Sequence, residues 1–179
     1  MKTLIICASR YGSTMEIGHW IAQRLPWNNV DIFRVEKAPE PDKYELIILG
    51  GGVYNEQVDK RIVQYAKIHP AGLSKKKIVA FAVCLDTCGV YMKGKFFGGW
   101  LYLKPLLEAL ETCPPVYAGV LSGEINPKTL SDKDRGLLMH FYTKILKRDI
   151  DEVPYRTLMN KPEVWKFVEK ILVRLKGQF

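Results

Sequence analysis

The chain opens on Thr3-Leu4-Ile5-Ile6-Cys7-Ala8, a short apolar run without polar alternation, which predicts a strand buried on both faces. From Ser13 the period lengthens, and Ile17, Trp20, Ile21 and Leu25 fall on one face of a helix. Val30 to Val35 alternates like an edge strand, and Pro39 and Pro41 punctuate the loop behind it. Leu46-Ile47-Ile48-Leu49 is again a continuous apolar run and leads into Gly50-Gly51-Gly52. Val58, Ile62, Tyr65 and Ala66 return to helical spacing, closed by Pro70 and Gly72. Ile78 to Cys84 predicts a central strand and Val116 to Leu121 the last one. A final helix starts at Lys161, with Asn160 as N-cap, Pro162 in the first turn and Glu163 completing a capping box. Its apolar face is Val164, Trp165, Val168, Ile171, Leu172 and Leu175.

Strand and helix signals that alternate in this way imply parallel strands joined by crossover helices. The predicted fold is an α/β, open, doubly wound sheet of five parallel strands with helices on both faces, in one domain spanning residues 1–179. Ligands of such sheets lie outside the carboxyl ends of the strands, so the loops 9–14, 50–57 and 84–100 matter most. Two segments exceed this plan: the stretch from Leu85 to Tyr102, and an insertion at about 124–160 before the last helix. The insertion carries a basic amphipathic helix with Leu137, Leu138, Phe141, Ile145 and Leu146 on one side. Lys133, Arg135, Lys144, Lys147 and Arg148 accompany it. The ordinary expectation is that the apolar side packs on the protein itself; a membrane surface is the alternative.

Composition narrows this little. Of 179 residues, 47% are hydrophobic and 26% charged, an ordinary globular balance that argues against disorder. No apolar run approaches the roughly 20 residues of a membrane span, and the immediate first strand leaves no room for a signal peptide. Cys7, Cys84, Cys88 and Cys113 make no disulfide framework, which suits a reduced, cytoplasmic protein. The net charge of +8 and pI near 9.3 favour anionic partners. No nucleic-acid motif accompanies that charge, and Lys75-Lys76-Lys77 reads as a solvated loop before a strand.

Ser9-Arg10-Tyr11-Gly12-Ser13-Thr14 is the most informative stretch, a hydroxyl-rich turn between a buried strand and a helix. Backbone N–H groups and the positive helix end suit an anion there, and Ser9, Ser13 and Thr14 can donate to phosphate oxygens. The same residues also fit a plain capping box, with Ser13 as cap and Glu16 completing it. After the third strand, Tyr54 can stack on a flat heterocycle and Asn55 can bond its polar edge, or the tyrosine packs locally. Asp86 and Thr87 directly follow the fourth strand and are placed to touch a cofactor ring. Tyr91, Phe96, Phe97, Trp100 and Tyr102 interleave with Lys93 and Lys95, a surface that could receive a large, flat, anionic ligand, although at least half of these aromatics are expected in the core. Cys84 and Cys88 lack a second cysteine pair, and His19, His69 and His140 lack ligand spacing, so no metal is expected. Nor does a nucleophile–base triad assemble.

The 9–14 turn resembles the FMN phosphate loop of the flavodoxin family: Ser or Thr, two free positions, Gly, one free position, Ser or Thr. More closely, the chain resembles the menaquinone-dependent protoporphyrinogen IX dehydrogenase branch of that family. The likeness runs through Met1-Lys2-Thr3-Leu4-Ile5, Arg10, Gly52-Val53-Tyr54, the Tyr117 to Leu121 strand, the basic segment behind it and the Trp165 turn. It departs at Ser122-Gly123-Glu124-Ile125, where that branch has an aromatic- and arginine-rich turn, and in the loop after Cys84. The resemblance implies FMN as cofactor, its phosphate held by Ser9, Arg10, Tyr11, Gly12, Ser13 and Thr14. It puts Gly52, Val53, Tyr54 and Asn55, with Cys84, Leu85, Asp86, Thr87 and Cys88, around the isoalloxazine. Lys93, Lys95, Trp100 and Arg135 would then meet substrate propionates or anionic lipid. The implied activity is an FMN-dependent oxidoreductase, passing electrons from a reduced tetrapyrrole or another donor to a quinone. The alternatives are a flavodoxin-type carrier between redox proteins and a non-catalytic FMN-binding module.

Overall fold

The computed structural model describes residues 1–92 and 94–177. Five parallel strands form its centre: β1 (Thr3–Ala8), β2 (Val30–Arg34), β3 (Leu46–Tyr54), β4 (Lys77–Cys84) and β5 (Tyr117–Ser122). Their spatial order is β2-β1-β3-β4-β5, and Gln57–Val58 adds a short antiparallel strand to the end of β3. The order reverses between β1 and β3, so the crossovers on either side of that point cover opposite faces and leave a crevice at the carboxyl edge.

Alternation along each strand divides the core into two layers. Ile5, Leu46, Ile48, Val79, Phe81 and Leu121 face the helices α1 (Ser13–Arg24) and α5 (Lys161–Lys176). Leu4, Ile6, Ile47, Leu49, Ala80 and Ala118 face α2 (Lys60–Ile68) and α3 (Lys104–Ala109). Within β3 the glycines continue the strand instead of opening a loop, and the reason is steric. Phe81 on β4 is paired with Gly50, and a Cβ at Gly50 would lie 2.0 Å from the end of its ring. A Cβ at Gly51 would meet Val58 at 2.5 Å. The expected 50–57 loop therefore shrinks to a two-residue turn at Asn55-Glu56.

Two predicted helix starts differ in detail. Gly12, in the left-handed region at φ 102°, is the N-cap of α1, and no side chain caps the helix, so the Ser13 capping box does not form. Asn160 sits at the N-cap of α5, also without a side-chain hydrogen bond. Pro70 opens a further turn, Pro70–Leu73, rather than closing α2.

The insertion differs most from expectation. Its helix α4 (Asp132–His140) runs on into a wider π turn at Phe141–Ile145. The extra residue of a π turn shifts the helical register, and Tyr142 takes the buried position beside Leu130 and Val153. Leu137, Phe141, Ile145 and Leu146 are turned outward, Ile145 with 57% of its surface exposed. The aromatics after β4 are also outside the core, because Val90–Met92 and Lys95–Phe97 form a separate hairpin. Tyr91, Phe96, Phe97 and Trp100 are exposed, Tyr91 at 71%, and only Tyr102 is half-buried.

The Gly50–Phe81 contact yields a direct expectation. Gly50→Ala forces the Phe81 ring out of its site and lowers stability by about 3 kcal/mol, read as a fall in the urea midpoint at unchanged slope.

Candidate functional site

Three connections converge at the carboxyl edge around the β1/β3 crevice. The first, 9–14, is shaped from both sides. Gly18 lets α1 approach β1 closely, since a Cβ there would lie 2.8 Å from the Cys7 sulfur. Ser9 is buried, its Oγ accepts the Gly12 N–H at 3.0 Å, and its carbonyl accepts from Arg34 at 3.1 Å. Thr14 is fully buried, and its Oγ1 is, among the described residues, the one buried side-chain oxygen without a hydrogen-bond partner. Buried hydroxyls are normally satisfied, so an orphan at a helix start marks a missing acceptor or donor. With no side chain capping α1, the N–H groups of its first turn remain available as well.

The second connection is the Asn55-Glu56 turn, with φ of 50° and 61°. Both central residues of such a turn are left-handed, a state natural to asparagine and strained for glutamate. Tyr54 folds back so that its hydroxyl would sit 2.7 Å from a Cβ on Gly52, and it accepts the Arg10 N–H at 3.0 Å. Burial raises its pKa above the ordinary tyrosine value. The Arg10 guanidinium lies 4.0 Å from the centre of the Tyr54 ring. Behind the turn, Asp59 caps α2 by accepting the Arg61 N–H at 3.0 Å. Burial disfavours the Asp59 charge, yet the Arg61 hydrogen bonds hold its carboxyl below the usual range.

The third connection begins at Cys84, whose half-buried thiol donates to the Asp86 carbonyl at 3.2 Å and is pushed up to about 12 by burial. Asp86 closes the loop: its carboxylate accepts the Gly89 N–H at 2.8 Å and its carbonyl the Gly99 N–H at 3.2 Å. Leu85 and Thr87 are half-buried beside it, and Cys88 is exposed. Tyr102 is pushed up to about 12 by burial and by the nearby Asp86, Cys84 and Glu56.

Against α1 the insertion adds a groove of about 510 Å³, lined by Tyr11, Gly12, Ser13, Glu16 and Trp20 with Glu124, Thr157 and Met159. Arg10 forms an ion pair with Asp134 at 3.0 Å, and the Tyr11 hydroxyl donates to the same carboxylate.

The Flavodoxin domain family model matches residues 4–152. The chain belongs to the flavodoxin domain family. Solved flavodoxins share the fold at low identity. Flavodoxin 2 from Bacillus cereus is 16% identical with a TM-score of 0.55, and all of both chains is covered. Oxidised Flavodoxin 1 from the same organism is 21% identical with a TM-score of 0.51, covering 83% of this chain and 99% of that one. A Fusobacterium nucleatum flavodoxin variant bound to flavin mononucleotide is 16% identical with a TM-score of 0.56, covering 100% of this chain and 98% of that one. A search of curated protein sequences finds no match.

Of the predicted site residues in this flavodoxin-family chain, the structure brings together 9–14, Gly52 to Asn55 and the Cys84–Asp86 stretch. Arg10 and Tyr11 direct their side chains to Tyr54 and the insertion. Lys95 and Trp100 are exposed on and beside the hairpin, Arg135 is exposed on α4, and Lys93 lies outside the described residues. Residue-by-residue reading misses Arg34 and Asp134, and it names Tyr102 only among the aromatics of the long loop, not beside Cys84 and Asp86. Arg34 had a local signal, a cation at the carboxyl end of an edge strand; Asp134, 124 residues from Arg10, had none.

The strained turn gives a second expectation. Glu56→Gly relieves the left-handed glutamate and raises stability by about 1 kcal/mol in a thermal melt.

Proposed function

We propose that this chain binds FMN at the carboxyl edge and acts as an FMN-dependent oxidoreductase, moving electrons from a reduced donor to a quinone or other acceptor. The orphaned Thr14 hydroxyl carries the reading. It lies buried in the first turn of α1, between the loop that bends at Gly12 and the β1/β3 crevice, where a phosphate oxygen would complete it. The residues fit that ligand: free N–H groups at the start of α1 and Ser13 at the mouth, with Arg34 bonded to the Ser9 carbonyl and Arg10 held on Tyr54 and Asp134. When bound, FMN supplies one- and two-electron chemistry. The chain's part is to hold the phosphate on Ser9 to Thr14 and to offer Tyr54, Asn55 and the Cys84–Cys88 stretch to the ring. Tyr102 and Asp86 bound the same space, where burial keeps the Cys84 thiol and the Tyr102 hydroxyl protonated.

The finer reading, a protoporphyrinogen dehydrogenase-like enzyme working with menaquinone, is supported by the likeness along the chain and by the outward face of the insertion. Leu137, Phe141, Ile145 and Leu146 are exposed among Lys133, Arg135, Lys144, Lys147 and Arg148, the pattern of a segment that rests on an anionic lipid surface. A quinone held in lipid, or a propionate-bearing tetrapyrrole, would be met there.

Purified protein reconstituted with FMN is expected to be yellow; protein that cannot be reconstituted overturns the redox readings. Thr14→Val is expected to weaken FMN about ten-fold, in line with a lost hydrogen bond to a charged group, and to leave the ligand-free chain as stable as before or more so. Anaerobic turnover of protoporphyrinogen with a menaquinone analogue separates the readings. No turnover together with fast reduction by a ferredoxin-type donor selects the carrier. Vesicles containing phosphatidylserine are expected to bind the protein and neutral phosphatidylcholine vesicles are not, with Phe141→Asp and Lys144→Glu abolishing the difference.

A further inference from the structure

We infer that Asp134 on the insertion is a positioning residue for the 9–14 loop, so that the insertion sets how tightly the loop holds a phosphate. The inference rests on the FMN reading above and names a control on that same site.

Gly12, the bend of the loop, packs against no side chain: a Cβ placed there would meet nothing within 4 Å, and its φ of 102° is a state only glycine takes easily. The bend is fixed by hydrogen bonds to its backbone and by contacts of its neighbours. From inside, the Ser9 Oγ holds the Gly12 N–H. From outside, one carboxylate holds the two residues in between. The Asp134 side chain, 16% exposed, accepts from the Arg10 guanidinium at 3.0 Å and from the Tyr11 hydroxyl. Tyr11 in turn accepts the Ser131 N–H at 3.3 Å, and the Ser131 Oγ caps α4 through the Asp134 N–H at 3.2 Å. The hold is therefore built into the first turn of the insertion helix.

An isolated surface ion pair contributes little. Here one carboxylate is shared by adjacent loop residues, the guanidinium is stacked on Tyr54, and Tyr54 meets Tyr11 edge-on at 6.2 Å. The same contacts thus join the loop, the Asn55-Glu56 turn and the insertion. A loop held in its binding shape loses less freedom when the ligand arrives, and the gain appears as affinity. Linkage requires the reverse as well: phosphate in the loop must tighten the insertion by the same factor.

The test compares FMN with riboflavin, which lacks the phosphate, by flavin fluorescence quenching on the full chain. Asp134→Ala is expected to raise the FMN dissociation constant about ten-fold, a usual size for coupling between sites, and to change riboflavin binding by less than about two-fold. Asp134→Asn, whose amide oxygen still accepts from Tyr11, is expected in between. In the wild type, FMN is expected to slow protease cleavage within 124–160 by a similar factor, riboflavin is not, and Asp134→Ala removes the protection. Equal weakening of both flavins, or no weakening of either, overturns the inference while leaving FMN binding intact. A wild type that binds no FMN overturns the cofactor reading instead. Hydrogen exchange at residues 10–14 of the ligand-free protein then decides the inference: faster exchange in Asp134→Ala supports it, and unchanged exchange overturns it.

Discussion

The carboxyl edge of this molecule is organised by unmet hydrogen-bonding capacity at the start of α1. A helix begins with N–H groups that have no acceptor of their own, and here no side chain caps them. The Ser9 hydroxyl is drawn back to Gly12, and the Thr14 hydroxyl is buried with no partner. Gly18 brings this donor-rich end hard against β1, and the sheet order opens a crevice in front of it. The remaining connections at this edge close around that deficit.

The sheet is legible in the sequence because it is buried on both faces. Continuous runs such as Leu46 to Leu49 and Ile78 to Cys84 have one plausible conformation, and their alternation with helical spacing implies the parallel order. Boundaries set by contacts between distant residues are not legible. Gly50 to Gly52 read as a loop until Phe81 is seen to need the space beside Gly50. Ser13 reads as a cap because local sequence cannot reveal that Gly12 turns left-handed.

The site divides along the same line. The 9–14 turn, Tyr54 and the stretch after Cys84 announce themselves by composition next to a strand end. Asp134 does not, since its place depends on how the insertion folds back. The amphipathic pattern of the insertion was visible, but the side that would be covered was not. A π turn shifts the register, Tyr142 goes inward, and the more apolar side is left outside.

The glycine run in β3 limits where this site can vary. At residues 50, 51 and 52 an added methyl group would collide with Phe81, Val58 or Tyr54 respectively. The floor of the crevice therefore cannot be retuned by side chains, because its own neighbours already fill the space beside it. Divergence in what such a site accepts is confined to its walls: the turn at Asn55-Glu56, the hairpin after Cys84, and the insertion. Two chains with the same floor can thus come to serve different donors and acceptors without any change in the sheet that carries them.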